Sequence, residues 1–394
     1  MKILKQYQRD FSFSALTSAV VIALVGMASS AILVFQEAAA FGVSSQEASS
    51  WLGSLCVGMG ILTILLSTKY RVPVMIAWST PGAALLISSA AGFTLPQAIG
   101  AFVFSAILMI LSGATGVFEK IMNRVPQGLS AALLAGVLLS FTVNAVTAFN
   151  TQSILIAAMF VAYVVGKKYS PNFTMLFVLV TGISVSAALK LLRFENLSMS
   201  ATEFTWTWPE FSISALLSIG LPLFVVTMAS QNITGFAIMR SYGYLPSVSK
   251  ILTKTGILNL ITAFFGGFAV NLAAVTAAIA MSADCNPNKD RRYMAAVISG
   301  VFYIIIGFMA GAITSVFSAF PQELVIAIAG FALFGTVSAS LQKALSQEEG
   351  KEATFITFVI AASGFKFLNI GSAFWSLVIG GLVLYLMRPK PIEA

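Results

Sequence analysis

Apolar runs about as long as a bilayer is thick follow one another along almost the whole chain, separated by short stretches that hold the charges. A helical span needs about 20 mainly apolar residues, fewer where it is broken or shielded inside a bundle. With charges, Pro and Asn marking the ends, fourteen segments meet that requirement. Seven lie in the first half: Phe13–Phe35, Trp51–Leu66, Val74–Ala91, Pro96–Phe118, Gln127–Ala145, Ser153–Val165 and Asn172–Leu191. Seven more follow: Ser214–Met239, Ile251–Phe265, Phe268–Met281, Tyr293–Ile313, Gln322–Leu341, Ala353–Gly364 and Ile370–Met387. Between them, 193–211 carries Arg193, Glu195, Glu203 and Glu210 with Trp206 and Trp208, the composition of a connector whose rings sit at headgroup level. The sequence predicts an all-α polytopic membrane protein with 14 transmembrane segments in a single unit.

Composition excludes a soluble protein. Of 394 residues 58% are hydrophobic and 9% charged, against about 45–50% and 25% in ordinary soluble domains. The net charge of +8 does not point to nucleic acid, because the basic residues stand singly or in pairs beside apolar runs. With a cytoplasmic N-terminus and fourteen spans, nineteen of the 22 Lys and Arg fall inside, among them Lys120, Arg124, Lys343, Arg388 and Lys390; Lys190, Arg193 and Lys366 fall outside. A miscount by one span would destroy that asymmetry, so both termini are expected in the cytoplasm. Histidine is absent, which removes the commonest metal ligand and general base. Cys56 and Cys285 offer neither a disulfide framework nor a metal cluster. No enzyme chemistry, metal or cofactor is implied. The first apolar run, starting near Phe11, is too long for a signal-peptide core and reads as a retained span.

Short motifs recur between the halves. Val25-Gly26-Met27-Ala28-Ser29-Ser30 in span 1 returns as Val226-Thr227-Met228-Ala229-Ser230-Gln231 in span 8, and Pro126-Gln127-Gly128-Leu129 before span 5 returns as Pro321-Gln322-Glu323-Leu324 before span 12. Ala135-Gly136 and Ala329-Gly330 follow at similar offsets. Small residues also recur by chance in such helices, but the order fits a seven-plus-seven duplication, with repeat 1 at 11–192 and repeat 2 at 212–388. Seven is odd, so the copies would be inverted, an arrangement that places binding at the midplane between related broken helices.

Spans 3 and 10 carry the break signals. After Arg71-Val72-Pro73-Val74-Met75-Ile76-Ala77-Trp78, the run Ser79-Thr80-Pro81-Gly82 reads as a helix start inside the membrane, a hydroxyl cap followed by Pro. In span 10, Gly266-Gly267-Phe268-Ala269-Val270-Asn271 precedes Leu272-Ala273-Ala274, with Asn271 as the expected cap of a second half-helix. Exposed backbone at that depth survives only where protein or a cavity surrounds it, so the two extended halves are expected to pair as short strands. Their helices would aim N-termini, which favour anions, at one pocket. The alternative for Ser79-Thr80-Pro81 is a simple kink.

Amides at such depth need partners. Gln231 and Asn232 in span 8 are candidate substrate donors, with helix–helix bonding as the competing role. Ser29 and Ser30, their repeat counterparts, are candidates that can equally bond their own helix. Trp78 and Phe268 could supply flat walls. No Asp, Glu, Lys or Arg falls in the central part of spans 1, 3, 8 or 10. The nearest carboxylates, Glu37 and Asp284, read as interfacial residues. A pocket without a cationic side chain suits a monovalent, partly apolar anion.

These residues give the chain a resemblance to the benzoate:proton symporter family of bacterial inner-membrane proteins. The resemblance covers nearly the whole chain and rests on Tyr70-Arg71-Val72-Pro73, Trp78-Ser79-Thr80-Pro81-Gly82-Ala83-Ala84-Leu85-Leu86, Pro222-Leu223-Phe224, Thr227-Met228-Ala229-Ser230-Gln231-Asn232 and, less specifically, Gly371-Ser372-Ala373-Phe374-Trp375. More distantly the order of broken spans is similar to the nucleobase–ascorbate and sulfate/bicarbonate transporters. That similarity implies a core domain of spans 1–4 and 8–11, a gate domain of spans 5–7 and 12–14, elevator-like movement, and often a homodimer. Gln231 stands near the place of an acidic residue in nucleobase carriers, and Val270 or Asn271 near a second; loss of both acids favours an anion held by helix ends.

The expectation is a secondary transporter that moves benzoate or a similar aromatic carboxylate inward with a proton. The carboxylate would sit between Ser79–Gly82, with Thr80, and Asn271–Ala274, with Leu272 and Ala273. Gln231 and Asn232 would donate to it, and Trp78 would flank the ring. The rival readings are a nucleobase or inorganic-anion carrier, an anion channel and a membrane-embedded enzyme.

Overall fold

A computed structural model describes residues 2–116, 127–193, 200–283, 285–346, 350–367 and 372–387. Lys120, Arg124, Pro126, Glu195, Asp284, Gly371, Arg388, Lys390 and the side chain of Ser29 lie outside the described residues. In chain order, α1 is Lys2–Asp10, α2 Phe13–Ala40, α3 Ser45–Tyr70, β1 Ile76–Trp78, α4 Thr80–Ser89, α5 Leu95–Ala114, α6 Gln127–Thr147, α7 Ser153–Tyr169 and α8 Thr174–Ala188. Then come α9 Ile213–Arg240, α10 Val248–Ala263, β2 Val270–Leu272, α11 Val275–Met281, α12 Tyr293–Phe308, α13 Ala310–Ser318, α14 Gln322–Leu345, α15 Lys351–Ala362 and α16 Ser372–Leu386. Among the described residues, seven helices are long and apolar enough to cross a membrane: α2, α3, α5, α6, α9, α12 and α14, the α6 and α12 spans counting an adjoining 3-10 turn; α8 and α16 are shorter and apolar. Large apolar side chains such as Leu65, Ile154, Val161 and Leu382 stand exposed on their outer faces.

The expected helix at Tyr293–Ile313 ends at Phe308 and restarts as α13. The connector after residue 199 is extended, and backbone bonds tie it to helix ends: Thr202 N donates to Phe308 O, Thr207 N to Phe264 O and Glu210 N to Pro96 O. Trp206 stacks on Phe264 at 4.5 Å. At another edge of the molecule Asp10, 1% exposed, receives Arg71 at 2.9 Å, Arg9 at 3.2 Å and Arg291 at 3.7 Å, plus the Tyr293 hydroxyl at 2.9 Å. Burial raises its carboxyl, but the Tyr293 bond and the arginines outweigh that and hold it below the usual range. This cluster fastens α1 to the chain entering β1 and to the start of α12.

The two extended segments pair as an antiparallel ribbon, with Ile76 opposite Leu272, Ala77 opposite Asn271 and Trp78 opposite Val270. Arg71, in the left-handed region at φ 54°, stops α3 before β1. Gly266, at φ 82°, turns the chain toward β2, and a Cβ there would lie 1.7 Å from the Trp51 ring, so only glycine fits. Two strands leave two outer edges, and flanking helices satisfy them. Thr63 Oγ1 on α3 accepts from Ile76 N (3.1 Å), and Ser67 Oγ both accepts from Val74 N (3.0 Å) and donates to Val74 O (3.2 Å). On the other edge Asn259 of α10 accepts from Val270 N (2.6 Å) and donates to Val270 O (3.0 Å), while Asn232 of α9 accepts from Leu272 N (3.1 Å). All four side chains are buried. Around the ribbon, α3 packs on α12 and α10 packs on α5, while α14 packs on α6.

Replacing Asn259 with Ala leaves two buried backbone groups without partners, each costing about 1–3 kcal/mol. Thermal unfolding of the purified Asn259→Ala protein in detergent is expected about 2–7 °C below wild type; an unchanged midpoint would show that the ribbon edge does not depend on this amide.

Candidate functional site

The ribbon determines where α4 and α11 begin. Because the strands are antiparallel, α4 starts beyond one end and α11 beyond the other. Ser79 is the N-cap of α4: its Oγ accepts from Gly82 N at 3.0 Å, and Thr227 donates to the same oxygen at 3.5 Å. Pro81 follows one position later than expected, after Thr80 at the first helical position. Asn271 does not cap α11. That helix starts at Val275, with Ala274 at the cap position and no side-chain bond there. Asn271 lies inside β2 instead; with its amide turned to satisfy both neighbours, it accepts from Ser79 N (3.2 Å) and donates to Leu272 O (2.9 Å). Strand pairing has taken the residue that the capping pattern claimed.

A cavity of about 720 Å³ opens beside this unit, a size typical of small-molecule sites. One wall is α9 from Phe224 to Thr234, joined by the end of α5 and by Ala274; the facing wall is α6 at Ser130, Ala131 and Leu134 and α14 from Gly335 to Lys343. The α9 wall includes a π-helical stretch, Thr227–Asn232, after an earlier one at Leu216–Gly220. π turns inside helices are frequent at functional sites. Here the wide turn separates two neighbouring amides. Gln231, half-buried, faces the cavity, and Asn232, fully buried, faces β2.

Of the expected site residues, Gln231 and Ala274 line this cavity. Trp78, Ser79, Gly82, Asn271, Leu272 and Ala273 are buried in or beside the ribbon, with Thr80 half-buried there. Gly82 admits the close approach of α9, since a Cβ would lie 2.9 Å from Leu223 Cδ1. Ser30 donates to Gly26 O of its own helix at 2.9 Å, and Asn232 turns its Nδ2 to Met228 Sδ at 3.2 Å. The structure thus brings the ribbon residues together as a framework and leaves Gln231 and Ala274 at the open space.

Three features lay outside the sequence expectation. Lys343, counted as a membrane-flanking charge, lines the cavity rim and is its one ionisable lining residue among those described, so the pocket has a cation. Its helix presents Thr336, Ala339, Ser340 and Lys343 along one face, a helical spacing that could have been seen. Thr63, Ser67 and Asn259 were isolated polar residues in apolar helices, with no signal beyond that. Glu37, near the end of α2, is enclosed by protein: it is 0% exposed, and both carboxylate oxygens lack a hydrogen-bond partner among the described residues.

Comparison with known proteins decides the family. The model of the family described as BenE, benzoate membrane transport protein, matches residues 9–386. The chain belongs to this family. It is 33% identical over 389 residues to the benzoate membrane transport protein of Acinetobacter baylyi, covering 98% of this chain and 99% of that one. It is 39% identical over 365 residues to the inner membrane protein YdcO of Escherichia coli K12, covering 93% of each. Among solved structures it shares its fold with the transmembrane domain of the cyanobacterial bicarbonate transporter BicA (TM-score 0.64, 12% identity, 94% of this chain and 98% of that one). SLC26A9 has the same fold (TM-score 0.63, 10% identity, 95% of this chain and 66% of that one). The protein is therefore a multi-pass membrane transporter.

Solvent access separates cavity from framework. In the folded protein, Gln231→Cys and Ala339→Cys should react with a hydrophilic thiol reagent while Ser79→Cys and Asn271→Cys remain unmodified, against the low background of the buried Cys56 and Cys285. Equal labelling at all four positions would contradict this division.

Proposed function

We propose that the protein imports benzoate or a similar aromatic carboxylate across the bacterial inner membrane by proton symport. The observation that carries this reading is the cavity: apolar along Leu134, Phe224, Val225 and Met228, with the Gln231 amide on its wall and the Lys343 ammonium at its rim. An aromatic ring matches the apolar wall, and the carboxylate matches an amide donor and a cation. The carboxylate is placed beside Gln231 and Ala274, with Lys343 drawing anions to the rim. Trp78, Ser79, Thr80, Gly82, Asn232, Asn271, Leu272 and Ala273 act behind it by fixing the ribbon. A carboxylic acid near the reference pKa of about 4.3 is ionised at neutral pH, so its entry as an anion opposes an inside-negative potential, and a co-transported proton removes that opposition.

The same reading includes fourteen spans in two inverted repeats, with broken spans β1–α4 and β2–α11. Support comes from the packing of α3 on α12, matched by that of α10 on α5, which exchanges under a two-fold relation between the halves. The cavity runs along the division between core spans 1–4 and 8–11 and gate spans 5–7 and 12–14, so sliding of core against gate would carry a bound anion. With both termini cytoplasmic, Thr115 and Lys343 at the exposed rim lie on the inner side, which makes this conformation inward-open. Pairing of two copies belongs to the same family expectation.

Uptake of radiolabelled benzoate into proteoliposomes tests the reading. An acid-outside gradient is expected to drive accumulation above the equilibrium level, abolished by a protonophore and by excess unlabelled benzoate but not by bicarbonate. No benzoate uptake, with bicarbonate or uracil carried instead, would move the protein to the inorganic-anion or nucleobase reading.

A further inference from the structure

The coupled proton needs a group to carry it, and the described lining of the site holds no carboxyl group. One carboxyl group elsewhere stands unused. Glu37 lies near the end of α2, is fully buried, and has neither hydrogen bond nor ion pair at either oxygen among the described residues; the ion pairs that are described all converge on Asp10. An ionised carboxylate closed off from water without a donor is far more costly than the neutral acid, so this conformation accommodates Glu37 with its proton in place. Ionisable residues at membrane depth mark proton and ion pathways.

The surroundings do not offer a structural role. Of the elements packed against α2, α4, α8, α11 and α13 carry no titratable side chain. From α3 come Glu47, Cys56, Lys69 and Tyr70, from α12 Tyr293 and Tyr303, and from α14 Glu323 and Lys343. Glu47 is taken up in the α3 capping box with Ser44, and Tyr303 donates to Ile22 O; neither pairs with Glu37. Phe35, on the same helix, packs its ring on Phe317 at 4.6 Å, and Phe41, one turn beyond Glu37, lies 6.0 Å from the Trp51 ring. On α8, Ser186 is likewise buried, with a hydroxyl that has no partner among the described residues.

Placement gives the group its function. The α2 helix touches α4 and α11, which follow the ribbon strands, and also α8 and α14 on the gate side. Sliding of one set past the other, as proposed above, would change the α2 contacts with α8 and α14. We infer that Glu37 is the proton-binding group of the transport cycle, loaded in the closed position and exchanging its proton with water when the helices shift. The step is bare proton transfer: the carboxyl O–H breaks toward water on one side, and a proton from the other side restores it. This rests on the proton-coupled import proposed above.

The test uses full-length wild type, Glu37→Gln and Glu37→Asp in liposomes. Glu37→Gln is expected to retain benzoate counterflow at equal pH within about two-fold of wild type and to lose gradient-driven accumulation at least ten-fold, with Glu37→Asp recovering part of it. Accumulation by Glu37→Gln at the wild-type level would overturn the inference, as would loss of both activities in Glu37→Gln and Glu37→Asp alike. A second readout does not need the substrate. Infrared spectra of the wild-type protein should contain a protonated-carboxyl C=O band that is missing from Glu37→Gln; identical spectra would refute the inference even if benzoate proved the wrong cargo, and failure of wild-type counterflow with the band present would count against the benzoate reading alone.

Discussion

Backbone edges buried in an apolar interior must find partners, and the two-stranded ribbon at the centre of this molecule has two of them. A peptide group left unpaired there costs as much as a lost hydrogen bond or more, so a broken helix is possible only if something else in the sequence meets the need. Thr63 and Ser67 meet it for β1, and Asn232 and Asn259 for β2. Each comes from a neighbouring long helix, so the ribbon locks α3, α9 and α10 into one unit. The positions of α4, α11 and the wide turns of α9 follow from it, and with them the wall that Gln231 presents.

Much of this was legible in the residues. Charge placement and apolar run length located most of the apolar helices, because both report directly on the bilayer, but they missed α1 and the break between α12 and α13. The Ser79-Thr80-Pro81-Gly82 run identified the start of α4, and the glycines at 266 and 267 identified the break before β2, because cap chemistry and positive φ are local properties. What failed was non-local. Asn271 satisfied a local capping pattern, yet pairing across the ribbon claimed it. Asn259 and Thr63 looked like any polar residue in an apolar helix, since their partners lie on another segment. Glu37 read as interfacial from its distance to a helix end, but packing by α2's neighbours closed it off. Lys343 obeyed the positive-inside pattern and lines the cavity as well; the pattern hid its second role.

Scarcity of charge therefore serves two purposes. It lets the helices sit in lipid, and it makes the few charges near the interior conspicuous: Lys343 at the cavity rim, and Glu37 without a hydrogen-bond partner among the described residues. The family's transport function needs no chemistry from the protein, only a site that accepts an anion on one side and releases it on the other. The ribbon unit and the α6–α14 pair line opposite sides of the cavity, and the ribbon's hydrogen bonds all lie on the first of these.

The most direct test is electron cryo-microscopy of the protein with benzoate. Ligand density is expected in the cavity between α9 and α14, with the carboxylate beside Gln231 and Ala274 and the ring against Phe224 and Met228. Density lodged instead on the far side of the ribbon, between Trp78 and Phe268, or a cavity that stays empty at saturating benzoate, would contradict it.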